Sequence, residues 1–257
     1  MSGTVTPTGT QCNPGPEITG SLYADAGRSP GADMPPWPKT SFDSADAELD
    51  LSRFDFDVDF DAAYVHSGSL HIDGDWSGGD LFRRCGLDPD GRYLGELTAF
   101  VVDGDLTVDG TLDLDAGVKE SFALMVTGAL RAEVLTLDAT MLFVFGGAQV
   151  SRLIDFTTND GTLSIAGTTT CPLTICDEGD LNLRSTGHIL CRFSTTLPDP
   201  HPPVDDPDDW PQPTITLSRA EVPSALAEGL YDESHWVDSE LAVNWARAGR
   251  PLLIGTS

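Results

Sequence analysis

Val102-Asp103-Gly104-Asp105-Leu106, Val126-Thr127-Gly128-Ala129-Leu130, Val144-Phe145-Gly146-Gly147 and Ile165-Ala166-Gly167-Thr168 share one pattern: an apolar residue, a variable residue, glycine, then alternating apolar positions. The glycines fall 24, 18 and 21 positions apart. A period near 20 with strand alternation is the signature of stacked coils, each too small to bury a face alone and each completed by its neighbours. Glycine at one phase of every coil predicts a corner at which the backbone takes positive φ. With parallel coils about 4.8 Å apart, roughly seven of them make a rod of about 30 Å. An antiparallel sandwich also gives short strands and turns, but it does not place the same glycine context at one phase of each coil.

Outward from this core, Leu70-His71-Ile72-Asp73-Gly74-Asp75-Trp76 is an earlier copy. Gly74 lies 30 residues before Gly104, so Gly78 to Gly95 is expected to be an inserted loop. Ala99–Val102 and Leu106–Leu114 form two strands joined at Asp109-Gly110, and the scheme repeats over Ala123–Leu137, Met141–Ile154, Leu163–Ile175 and Leu181–Phe193. Phe54-Asp55-Phe56-Asp57-Val58-Asp59-Phe60 alternates strictly and is the clearest strand in the chain. The expected organisation is mainly β: an irregular Pro/Gly-rich arm over 1–50, a single-stranded parallel β-helix over 51–197, a Pro/Asp linker over 198–214, and a C-terminal helical cap over 215–257. The cap holds two helical stretches, Arg219–Leu230 and Asp238–Ala248. The second has Asp238 at its N-cap, Arg247 near its C-terminus, Gly249 at C′ and Pro251 as its stop. Both stretches are expected to dock on the rod, whose apolar end needs covering.

The 257 residues carry 41 acidic side chains against 14 basic ones, a formal net charge of −27 spread over the whole length. Such a field repels nucleic acid and anionic membranes and attracts cationic partners. Only Lys39 and Lys119 accompany twelve arginines, so compositional bias or high-salt adaptation is the alternative source of the charge. No basic stretch followed by an apolar run opens the chain, and no window of about 18 apolar residues occurs. Five cysteines without framework spacing fit a cytoplasmic protein with free thiols.

The candidate chemical residues have structural explanations. His66 and His71 are five apart on a strand and therefore face opposite sides, which disfavours a shared metal. Cys171, Cys176, His188 and Cys191 compose a legal zinc set, but their spacing matches no common knuckle. Cys171 and Cys191 are one coil apart and are expected to stack inside the rod. Asp88-Pro89-Asp90-Gly91 lacks the later ligands of a calcium loop and suits a turn. Gly78-Gly79-Asp80 is a single short copy of a calcium-solenoid motif. There is no nucleophile elbow, phosphate loop or H-E-x-x-H helix. No catalytic, cofactor-binding or metal-binding residue is assigned.

The run Phe100 to Leu114 followed by Leu124 to Ala132 resembles the bactofilin-like, polymer-forming cytoskeletal repeats of bacteria. It is also similar to uncharacterised bacterial β-helix proteins with a helical ending like Leu241 to Leu252, some of them presumed toxin-immunity proteins. The resemblance implies a non-enzymatic protein-binding rod. Combined with the charge, the expected function is an acidic module that neutralises a basic toxin. A scaffold that self-associates through its ends is the alternative, and a calcium- or carbohydrate-related solenoid is the second.

Overall fold

The computed structural model describes residues 36–53, 58–91, 97–115, 117–118, 121–156, 161–176, 180–191, 215–217, 220–233 and 236–255. Among these, sixteen strands join in one curled mixed sheet. The chain passes through three columns in turn. Column A stacks β2 (Ala62–Ser67), β5 (Thr98–Asp103), β8 (Ala123–Val126), β10 (Met141–Val144), the start of β12 (Thr162–Thr170) and β14 (Asp180–Ser185). Column B stacks β3 (Leu70–Ile72), β6 (Leu106–Val108), the start of β9 (Leu130–Leu137), the start of β11 (Ala148–Phe156) and the end of β12. Column C stacks β4 (Trp76–Ser77), β7 (Thr111–Asp113), the ends of β9 and β11, β13 (Leu173–Cys176), β15 (His188–Cys191) and β16 (Ile215–Leu217). Pairing within all three columns is parallel. The antiparallel pair is β1 (Lys39–Ser41), which runs back along the free edge of β2.

Side-chain alternation sorts each strand into inward and outward rows. Tyr64, Phe100, Leu124, Leu142, Leu163 and Leu181 occupy one register position of column A and point into the central core with Leu106, Leu112, Leu130, Leu135 and Ile154. The outward rows of columns A and C are also apolar, and the terminal segments cover them. Helix α1 (Phe42–Leu49), with Leu51 and Phe60, lies over Val101, Met125 and Phe143 of column A. The C-terminal segment, with Val222, Leu226, Leu230, Ala242, Val243 and Ala246, lies over Val134, Leu153, Leu173, Ile175 and Leu190 of column C. It therefore covers a side of the stack, where the sequence led us to expect an end cap. At about 25 cal/mol per Å² of buried apolar surface, covering these rows is a main source of stability for both segments.

Several expectations change. Residues 36–53 are not irregular: they hold β1, α1 and a 3-10 turn, Leu51–Arg53. Ser41 caps α1 by accepting from the Ser44 N–H at 3.3 Å. Of the alternating Phe54–Phe60 stretch, residues 54–57 lie outside the described residues. Val58 to Phe60 form no strand; Phe60 packs on Phe42 at a ring separation of 5.0 Å, as part of the cover over column A. The insertion after Ser77 begins as helix α2 (Gly78–Arg84), not a loop. Ser77 and Asp80 form a reciprocal capping box at its start. Leu81 and Phe82 enter the core, with Phe82 packed against Phe100 and Phe122.

Helix α3 (Val222–Ala225) is only four residues long where Arg219–Leu230 was expected to be helical. The chain after it bonds instead to the C-terminal tail: Ala227 N–H donates to Leu252 O at 2.8 Å, and Ile254 N–H to Ala225 O at 2.9 Å. Helix α4 (Ser239–Arg247) follows its sequence signals. Asp238 accepts from the Leu241 N–H at 2.9 Å, and Gly249 takes φ +70° just past the helix. The Pro/Asp linker, 198–214, lies outside the described residues, and no helix among those described is long and apolar enough to cross a membrane.

The expected positive φ is found at Gly74 (+80°) and Gly104 (+153°), but the later glycines have a different reason. Gly128, Gly146 and Gly167 are not at positive φ. Each sits on the backbone of the preceding lap. Gly128 N–H donates to Gly104 O at 2.9 Å, Gly146 N–H to Gly128 O at 2.9 Å, and Gly167 N–H to Gly146 O at 3.0 Å. A Cβ on Gly128 would stand 2.7 Å from the Gly104 carbonyl, so close approach of two backbones excludes any side chain.

Candidate functional site

The stacking that seats the glycines also fixes the acidic residues. Asp75 Oδ1 accepts the Thr111 N–H at 2.7 Å, Asp105 Oδ1 accepts the Ala129 N–H at 2.7 Å, and Asp61 Oδ2 accepts the Leu97 N–H at 2.8 Å. Each carboxylate satisfies a corner N–H one lap further on, a donor that the parallel ladder leaves over. Part of the acidic composition is therefore corner chemistry.

A second set of carboxylates converges where column C ends. Asp113, Thr136 and Asp155 share one outward register position on β7, β9 and β11. Asp115 and Asp138 stand at the corners that follow. One stripe of α4, with Ser239, Glu240, Val243, Asn244 and Arg247, faces them across a cleft of about 560 Å³. Five carboxylates thus line the cleft with a single guanidinium. Arg247 reaches over it and its Nη2 donates to Asp113 Oδ2 at 2.8 Å.

Burial pushes the Asp115 carboxyl up to about 6. Hydrogen bonds from the Thr140 hydroxyl and the Asp138 N–H oppose the rise, and the charges of Asp138 and Asp113 add to it. Thr140 Oγ1 donates to Asp115 Oδ1 at 2.8 Å, and the Asp138 N–H donates to Asp115 Oδ2. Both Asp115 oxygens are thus occupied by the next lap. The Thr136 and Ser239 hydroxyl oxygens are buried in the cleft walls and find no hydrogen-bond partner among the described residues.

The residues singled out in the sequence do not assemble into this cleft. His66 shares its register position with inward-facing Val102 and packs against Trp37 with the rings tilted and their centres 5.4 Å apart; burial lowers its pKa. His71 is exposed between buried Leu70 and Ile72 on column B, facing the other way, with Asp73 and Asp109 beside it.

The cysteine ladder has a different register from the expected one: Cys191 pairs with Cys176, not with Cys171. Cys171 lies at the corner before β13, buried, its Sγ donating to Leu173 O at 3.0 Å, and burial pushes its thiol up to about 11. His188 pairs with Leu173 in an outward row, while Cys176 faces the core, so these members of the zinc set point apart. Asp88–Gly91 is a turn in which Asp88 Oδ1 accepts the Asp90 N–H at 3.1 Å. Gly78 and Gly79 begin α2; a Cβ on Gly78 would stand against the Leu114 carbonyl.

The sequence readings missed the cleft because it joins residues 113–155 to residues 239–247. Its legible trace is Asp113 and Asp155, acidic residues that each follow an apolar residue near the end of a strand. No family model, curated protein or solved structure matches the chain.

Proposed function

We propose that the curled sheet is a three-sided, single-stranded parallel β-helix, and that the chain is a non-enzymatic module binding a cationic protein partner, as an inhibitor or immunity protein binds a basic toxin. The three parallel columns support the fold reading. The observation that carries the function is the cleft under α4, where five carboxylates face one guanidinium. A lysine or arginine of a partner would exchange water for carboxylates already held by a stacked backbone, and the wider field of −27 would speed the encounter.

The occupied oxygens of Asp115 support a binding role over acid–base chemistry: both hold the next lap in place. The scaffold alternative, rods joined end to end, is opposed at the first lap. There β1 occupies the β2 edge antiparallel, and Trp37 is buried in the core beside Trp76 at 6.5 Å.

The test is co-expression and pull-down with the product of the adjacent gene at physiological salt. A basic partner should be captured by the native chain, less well by Asp113→Asn with Glu240→Gln, and less well again in high salt. Capture by the native chain and the double variant alike would sink the cleft as the contact, and no basic partner at all would sink the reading.

A further inference from the structure

Column B is the column whose outward row alternates with polar residues, and neither terminal cover lies on it: His71, Thr107, Arg131 and Gln149 occupy one register position. At its first two laps three ligating side chains meet. His71 and Asp73 are two apart and share a side. Asp109 takes on the second lap the position that Asp73 has on the first, since His71 pairs with Thr107. His71 Nε2 lies 3.0 Å from Asp109 Oδ1 and 3.8 Å from Asp73 Oδ1, and one ligand atom from each of the three falls within 4.8 Å of the others. The backbone holds this arrangement: Asp109 N–H donates to Ile72 O at 3.0 Å, and Gly110 N–H to Gly74 O at 3.1 Å.

These two carboxylates differ from their neighbours. Asp75 and Asp105 each accept a backbone N–H from the next lap. Asp73 and Asp109 accept none among the described residues, where His71 is their polar partner. Like charges stacked in register on adjacent strands repel. A divalent ion between them reverses the sign of that interaction, and the imidazole supplies a lone pair to the same point. We propose that His71, Asp73 and Asp109 form a surface site for a divalent first-row transition metal. One nitrogen and two carboxylate oxygens suit zinc, cobalt or manganese rather than calcium, which takes an all-oxygen shell. Three protein ligands leave coordination positions for water or for a donor from a partner docked on column B.

The test is a titration of the untagged, chelator-treated full chain with Co²⁺, read by absorption. We expect one equivalent to bind, with the weak visible bands of nitrogen and oxygen ligands, and Zn²⁺ to displace it. Among the described residues the thiols of Cys85, Cys171 and Cys176 are buried, with Cys85 and Cys171 pushed up to about 12 and about 11, so metal held by His71, Asp73 and Asp109 should bring no near-ultraviolet thiolate charge-transfer band. His71→Ala and Asp109→Asn should each weaken binding about 10- to 100-fold or more, since even a partner behind the ligands is worth that much. Both positions are exposed, and both variants should melt with the native chain in chelator. Absence of saturable binding up to millimolar Co²⁺, equal affinity in the native chain and both variants, or a thiolate band that persists in the variants would each overturn the site.

Discussion

The step from column A to column B and the return from column C to column A are both corners, yet they obey different rules. From the inward residue of column A to that of column B the chain takes six residues in each of the first five laps, Tyr64 to Leu70, Phe100 to Leu106, Leu124 to Leu130, Leu142 to Ala148 and Leu163 to Thr169, and four in the sixth, Leu181 to Ser185. The return takes 24, 12, 7, 9 and 7 residues, from Trp76 to Phe100, Leu112 to Leu124, Leu135 to Leu142, Ile154 to Leu163 and Thr174 to Leu181. The first corner stacks backbone on backbone and keeps one length through five laps; the sixth is two residues shorter, and the difference is taken up by a register shift between Ser164 and Thr168. The return varies far more in length, is bridged in places by side chains such as Asp115 on the Asp138 N–H, and tolerates α2 and the acidic cleft. Rigid register and variable chemistry are thus assigned to different corners of one lap.

The largest test of that division is a methyl group. Gly128→Ala sets a Cβ 2.7 Å from the Gly104 carbonyl and should cost about 3 kcal/mol in urea unfolding. Gly117→Ala lies on the return corner, at φ +74° with the nearest atom 3.7 Å from the added Cβ, and should cost about 1 kcal/mol from its left-handed backbone alone. Equal losses would abolish the distinction.

Next in size is a pH effect at Asp115. Its carboxyl titrates near 6 in the fold against 3.8 free, because burial favours the neutral form. The fold therefore holds this proton more tightly than the unfolded chain does. The resulting stability is complete below about pH 4 and is lost as pH rises through about 6, a change of about 2 kcal/mol after allowing for partial solvent access. Relative to Asp115→Asn, which has no proton to lose, native stability measured by urea titration should fall across that window. A flat difference would mean that the return corner is wetter than its burial indicates.

The smallest expected effect separates shape from charge at the rigid corner. Asp105→Ala removes the acceptor of the Ala129 N–H and should cost about 1 kcal/mol, whereas Asp105→Asn keeps an oxygen there and should cost a few tenths. An equally large loss in both would make the negative charge, not the hydrogen bond, the stabilising element.

These same corners explain what the sequence disclosed. The spacings of 24, 18 and 21 between glycines are whole-lap lengths, and they vary because the return varies. Three strands per lap were harder to see, since the corner from column B to column C often carries no glycine, as at Glu133 and at Ser151-Arg152. The first lap is out of phase with its glycine spacing: Gly74 stacks under Gly110, and Gly104 over Gly68 and Ser69. With α2 inserted, the nearer glycine looked like the partner.

The covered sides were legible in composition. Ala99–Val102, Ala123–Val126 and Met141–Val144 are apolar at both parities, as strands buried on two faces must be. The column B strands Leu106-Thr107-Val108 and Leu130-Arg131-Ala132 alternate, as an uncovered face requires. The cleft was not legible, because no local pattern links Asp113 to Arg247.

The return corner also has a practical meaning. It is a seam at which the chain can be lengthened while the three columns keep their register, and α2 is an example of such a graft. A peptide or reporter inserted between Asp115 and Phe122 would project beside the stack. One residue added to the six-residue step at Gly128 would turn every column B side chain of that lap to its other face. The molecule is in this sense a cassette with one open slot, and the acidic cleft lies along that slot.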